Sequence, residues 1–228
     1  MRQLAHIARL LCRQERGAAL VELAIVIPIF LFLIFGVIDY GRLYWSTTAA
    51  QKAMQTAARL ATVGPPLCGA LPPEHEIASG VGADTRFGTL CRTGGLGGIC
   101  VDETNNLPDP CTLADVPTIY TGASDTQPDY ADRIWAEIGP LLPPGSTRDN
   151  VQFTYSHDWQ LGFLGGPYTP VVTADLVGVD FNFVMPLAGL AALAGGGPAV
   201  TSNTPNSISL PAMSTSVPAE DLAVGAVE

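Results

Sequence analysis

Residues Arg16 to Ile38 read RGAALVELAIVIPIFLFLIFGVI, and no other stretch limits the fold as much. The run carries no charge from Leu23 to Ile38, and with Ala18 to Glu22 it reaches 21 residues. As a helix rising ~1.5 Å per residue it is about 31 Å long, the thickness of a bilayer's hydrocarbon core. One carboxylate, Glu22, stands just inside the run. An acid placed in hydrocarbon is costly and marks function more often than packing. The constraint is therefore a membrane helix with one retained charge near its start.

The segment before the run sets its orientation. Arg2, Arg9, Arg13 and Arg16 face a single acid, Glu15. Short basic flanks stay on the cytoplasmic side, so the chain is expected to cross once, amino terminus inside, with residues beyond about Asp39 outside. A secretory signal has a shorter apolar core followed by its small-residue cleavage site. Here the expected site precedes the apolar run, between Gly17 and Ala18. Glycine lets a protease approach the backbone without a side chain in the way. Cleavage would remove the basic residues 1–17 and expose an α-amine at Ala18. Glu22, one helical turn further on, would then be placed to neutralise that amine or a neighbour's. The competing reading is an uncleaved anchor whose Glu22 only marks the membrane boundary.

Gly17-Ala18-Ala19-Leu20-Val21-Glu22-Leu23-Ala24, then Pro28, then Gly36-Val37-Ile38-Asp39-Tyr40-Gly41-Arg42, resembles the TadE-like family of minor pilins (pseudopilins) of tight-adherence pilus systems. The resemblance covers about the first 60 residues. Leu23 stands where that family often has an aromatic residue, and Ala18 where major type IV pilins usually have phenylalanine. The resemblance implies cleavage by a prepilin peptidase. It also implies partnership with other minor pilins, the major pilin and an inner-membrane pilus platform, beside membrane lipid.

Beyond the membrane the helix is expected to run on over residues 39–62. Pro28 would kink a soluble helix, but membrane helices tolerate proline better. Tyr40, Tyr44 and Trp45 suit the outer membrane–water interface. Ala50, Met54, Ala57 and Ala61 recur at spacings of 4, 3 and 4, which is one helix face. That stripe is expected to pack on the protein's own domain, and Ala18 to Ile38 on other membrane helices. Gly64-Pro65-Pro66 ends the helix.

About 165 residues lie past the helix, enough for one domain with a core. Losing residues 1–17 would leave 7 basic and 20 acidic residues, a formal charge near −13. Such a surface does not seek nucleic acid or anionic lipid. Cys12 would go with the leader. Cys68, Cys91, Cys100 and Cys111 fall in a loop-rich insertion, residues 63–127, without a large core of its own. An even number of cysteines in an exported segment reads as two disulfides. Three pairings are open, and Cys68–Cys91 with Cys100–Cys111 is the one expected. A zinc site would need closer cysteine pairs and a neighbouring histidine.

Residues 128–228 are expected to supply a short helix and an antiparallel sheet. Pro128 to Leu142 reads as an amphipathic helix with Ile134, Trp135, Ile138, Leu141 and Leu142 on its apolar face. Val151 to Tyr155 alternates as a strand. Val171 to Val184 alternates too, with Val177, Val179, Phe181 and Phe183 opposite Asp180 and Asn182. Ser207 to Val217 is a weaker last strand, placed at an edge by Pro211. Leu187 to Pro198 is an apolar, glycine-rich connector. The fold class expected is α+β: a long membrane helix leading into a pilin-like domain.

No catalytic, cofactor or metal constellation emerges. Ser156-His157-Asp158 are consecutive on a strand, so they cannot all converge as a relay. Gly94 to Gly98 follows no strand and opens no helix, unlike a phosphate cradle. Asp102-Glu103-Thr104-Asn105-Asn106 with Asp109 lacks EF-hand spacing and reads as a solvated acidic loop. His75 stands alone. The expected function is non-enzymatic: a minor pilin required for pilus assembly, resident in the cytoplasmic membrane or carried into the fibre. The alternative is a membrane-anchored, adhesin-like binding module.

Overall fold

The computed structural model describes residues 15–82, 84–95, 97–116, 126–184, 207–220 and 222. Most of the leader, Cys12 included, and the Leu187–Pro198 connector lie outside the described residues. Helix α1, Glu15–Val63, is 49 residues long and runs unbroken through Pro28. At ~1.5 Å per residue that is about 74 Å. The Gly64 N–H closes its last turn on the Leu60 carbonyl at 3.0 Å. The Tyr130 hydroxyl donates to the same carbonyl at 2.7 Å.

A four-stranded antiparallel sheet follows, in the order β1-β2-β3-β6, with β1 at Cys111–Thr112, β2 at Val151–Ser156, β3 at Val171–Leu176 and β6 at Met213–Pro218. The register pairs Val151 with Leu176, Phe153 with Ala174 and Tyr155 with Val172. All six are buried, on one face. The upper half of α1 covers that face, and helix α2, Thr126–Ile138, packs against α1. The α1 stripe is buried as its spacing requires: Ala50, Met54, Ala57 and Ala61 are 0% exposed, and Ala53 and Ala58 join them. Five of these six are alanines, so the helix axis lies close to the sheet. From α2 come Ile134 and Ile138, both fully buried, with Leu142 beyond them. Trp135 and Leu141 pack at the margin.

Two of the expected strands are each divided. Val171 to Val184 breaks at Gly178, which adopts φ +66°, a conformation that suits glycine and few other residues. Before the break Val172, Ala174 and Leu176 are buried; after it Val179, Phe181 and Phe183 are. Val177, expected to share a face with the latter three, is only half-buried. The glycine inserts one residue of phase, and a one-residue slip exchanges the faces. The Asn150 side-chain amide fixes the turn by donating to the carbonyls of Val177 (3.0 Å) and Gly178 (3.2 Å). The second half forms β4, Asp180–Asn182, which pairs with β5, Ser207–Ser209, in a separate two-stranded sheet. Ser207 to Val217 therefore supplies strands to both sheets. Pro211 falls between them, and β6 is an edge strand.

The alanine stripe yields a direct test. Enlarging Ala57 to leucine should push α1 off the sheet and cost about 1–3 kcal/mol, the usual price of overpacking. Thermal unfolding of the detergent-solubilised chain should show Ala57→Leu melting below the parent. Val37→Leu, at a position 74% exposed, should leave the transition in place.

Candidate functional site

Helix α1 has two unlike halves. From Leu20 to Ile38 its large apolar side chains, Phe32 apart, point away from the protein: Leu20 is 69% exposed, Leu33 63% and Val37 74%. Among the described residues a single span long and apolar enough to cross a membrane lies here, compatible with a single-pass anchor. Glu22 is exposed on this surface and, among the described residues, forms no hydrogen bond or ion pair. Gly17 and Ala18 lie inside the first turns of the helical backbone.

Where the bare half ends, the small β4–β5 sheet is fastened to the helix. Asp39 is 2% exposed, although it immediately follows the apolar run. Its Oδ2 accepts the Val184 N–H at 2.8 Å. Its Oδ1 accepts from the Arg42 guanidinium, also at 2.8 Å. That guanidinium lies over the Phe181 ring, 5.6 Å from its centre. Tyr40 and Phe183 meet at 5.8 Å between ring centres. Phe32 and Leu43 pack against Phe181 and Phe183 from the helix side. A buried carboxylate is tolerated when its oxygens are satisfied and a countercharge is adjacent. In the sequence Asp39 marks only the outer end of the apolar run and a place in the resemblance. Its signal was the i, i+3 spacing to Arg42, the pairing distance on a helix.

The two disulfides exist, but not in the pairing expected. Cys68 joins Cys111, and Cys91 joins Cys100. Residues 63–127 were read as a separate insertion, whereas its Cys111 belongs to β1 and pairs with Phe153 of the main sheet. Cys68, five residues past the end of α1, meets the same place, its Sγ 3.4 Å from the Phe153 carbonyl oxygen. The remaining two cysteines close a short loop. Ile99 donates to the Cys91 carbonyl at 2.8 Å. A side chain at Gly98 would collide with that carbonyl, its Cβ 2.3 Å from the oxygen. The glycine run thus serves a tight loop closed by Cys91–Cys100.

His75 is not alone. It is 2% exposed, and its Nε2 accepts the Thr169 N–H at 3.2 Å. The Tyr168 ring is 4.8 Å away and that of His157 6.3 Å. Burial, then the nearby His157, push the His75 pKa down, favouring the neutral ring. Burial pushes the Tyr168 hydroxyl up to about 12. A ring nitrogen of His75 also lies within 4.8 Å of the Cys91 and Cys100 sulfurs. The fold therefore supplies the neighbouring histidine that the sequence did not show. The sulfurs are bonded to each other, however, and a metal needs thiolates.

The Ser156-His157-Asp158 side chains go to three separate partners. Ser156 Oγ donates to the Val171 carbonyl, His157 Nδ1 faces the Tyr168 hydroxyl, and Asp158 Oδ1 accepts the Gln160 N–H. In the acidic loop Asp102 Oδ1 accepts from the Thr104 N–H and hydroxyl. Asp109 accepts from Thr154. These carboxylates shape the loop.

The sequence model of the TadE-like protein family matches residues 17–59. The match lies wholly within α1, from the proposed scissile bond to the alanine stripe, and includes Glu22, Asp39 and Arg42. Over these residues the amino-terminal helix is similar to the TadE-like family. No curated protein and no solved structure matches the chain.

The disulfide pairing is open to mapping. Proteolysis of the unreduced chain should release linked peptides containing Cys68 with Cys111 and Cys91 with Cys100. Removing the first bridge opens a 43-residue separation and the second only 9. On the chain-entropy account these are worth about 4 and about 2.5 kcal/mol. The paired serine variant at 68 and 111 should therefore lose more stability in urea than that at 91 and 100.

Proposed function

We propose that this protein is a TadE-like minor pilin that helps assemble a tight-adherence pilus. It enters the cytoplasmic membrane with its amino terminus inside. A prepilin peptidase cuts after Gly17, and α1 then packs against the helices of other pilins. The observation that carries this reading is the bare half of α1. Its large apolar side chains, Phe32 apart, and Glu22 are left uncovered by the protein's own domain, within the segment that matches the TadE-like family. Lipid alone would satisfy the apolar residues but would not favour the carboxylate. A cleaved neighbour offers an α-amine at the depth where Glu22 needs a cation.

The remaining parts fit these roles. Cleavage requires the first turns of α1 to open, because Gly17 and Ala18 lie in helical backbone. Glycine eases that opening, being a poor helix former. The domain beyond residue 63 is the exposed cap, displayed outside the cell. The partners are the peptidase, the inner-membrane platform, the major pilin and other minor pilins, with lipid around α1 before assembly.

A second reading, an anchored adhesive module for a glycan or surface protein, draws on one feature. Phe87, 84% exposed, lines one cavity with Ile77, and Leu90 forms a bridge with Phe163; the last three are each more than 40% exposed. The two readings are compatible at a pilus tip. Recovery of the protein with sheared filaments would separate a pilus component from a resident receptor.

The role of Glu22 can be isolated from insertion and processing. Glu22→Ala makes the segment more apolar, so insertion should be unaffected. Breaking a charge pair in low dielectric from one side costs on the order of 3–5 kcal/mol, enough to abolish a weak assembly contact. In cells where the precursor is shown to be cleaved, Glu22→Ala should reduce crosslinks to other pilins and the number of surface filaments. Glu22→Gln reports whether charge is required. Normal crosslinks and filaments in both variants would make Glu22 a boundary residue only.

A further inference from the structure

The β4–β5 sheet reaches lower along α1 than a domain standing clear of a membrane would. Its helix contacts extend from Phe32 to Leu43, and Phe32 lies six residues inside the apolar run, about 9 Å at ~1.5 Å per residue. If residues 18–38 lie in hydrocarbon, the sheet sits at the outer boundary of the bilayer and partly below it. We propose that this sheet is a lipid-contacting collar, seated among the phospholipid headgroups of the outer leaflet with Val184 facing lipid. The proposal rests on the membrane placement of α1 given under the proposed function.

Four observations at this level fit lipid. Val184, beside Asp39, is 75% exposed, and Val37 and Ile38 of the helix are 74% and 53% exposed. The sheet and helix thus present one apolar zone at the same height. Just above stand Tyr40, Tyr44 and Trp45, which are 51%, 73% and 67% exposed. Tyrosine and tryptophan favour the headgroup layer. Asp39, beside Val184, is closed off by Arg42 and the Val184 N–H, while Asp180, the exposed carboxylate of this sheet, stands at the other end of β4 from Val184. The Arg42 side chain is itself 47% exposed. It can keep its stem on Phe181 while its head reaches a lipid phosphate. The clamp thus fixes the domain's height on the helix and makes the fixed edge compatible with lipid.

The test uses the full chain reconstituted in vesicles of phosphatidylcholine and phosphatidylglycerol. Cys12→Ser leaves the two disulfides and no other cysteine. An environment-sensitive fluorophore is attached at Val184→Cys, at Ile29→Cys in the apolar run, or at Glu137→Cys. Glu137 lies level with Leu60 at the far end of α1. Nitroxide-bearing lipids labelled at the headgroup or deep in the acyl chain then quench each probe. The proposal expects headgroup-labelled lipid to quench the Val184 probe several-fold more than the Glu137 probe, and deep-labelled lipid to quench Ile29. Quenching at Ile29 with Val184 as water-exposed as Glu137 would overturn the collar and leave the anchor standing. No quenching at either Ile29 or Val184 would overturn both. A Val184 probe shielded from water but unquenched by any lipid would also overturn the collar, in favour of a neighbouring protein subunit.

Discussion

One continuous helix has to satisfy two surroundings, and the rest of the architecture follows from how it does so. In the half of α1 up to Ile38 most side chains are leucine, isoleucine, valine and phenylalanine, directed outward except for Phe32. In the half ending at Val63 the buried positions are mostly alanine, directed inward. Large apolar groups gain from any apolar neighbour, whether lipid or another helix. Alanines gain only when a surface comes close, and here the β3–β6 face does. The changeover falls at Asp39, where a single carboxylate holds a helix arginine and a backbone N–H from β4's far end. A helix joined at both heights fixes where the domain sits along α1.

The long helix was legible because nothing competes with a charge-free run of that length. The alanine–methionine stripe was legible because a 4, 3, 4 spacing leaves only one face to bury. Val151 to Tyr155 was legible from its alternation, as were Ile134 and Ile138 on α2. The second sheet was not. The alternation before Gly178 and after it looks continuous in sequence, and only the positive φ there shows that the faces have exchanged. A residue that resets phase without changing composition leaves no periodic trace.

The disulfides failed to be read for a different reason. Pairing cysteines by order along the chain assumes that residues 63–127 fold among themselves. Instead Cys111 sits in a two-residue strand, too short to be seen by pattern, which is added to the main sheet beside Phe153. That strand brings Cys111 to Cys68 at the top of α1 and leaves Cys91 and Cys100 to close a local loop. The same long-range folding places His75 against Thr169 and Tyr168, far from it in sequence. In the candidate site, Glu22 and Gly17 were visible as departures from their surroundings. Asp39 was hidden because a carboxylate at the end of an apolar run looks like the start of solvent.

The central claim is that α1 becomes an assembly element by losing the residues before it. Amino-terminal sequencing of the protein recovered with sheared filaments tests this most directly. A sequence beginning Ala18-Ala19-Leu20-Val21-Glu22 would place the new amine one turn from the carboxylate, as the account requires. A sequence that still contains the arginines of residues 1–17, or one that begins beyond Ile38, would contradict it.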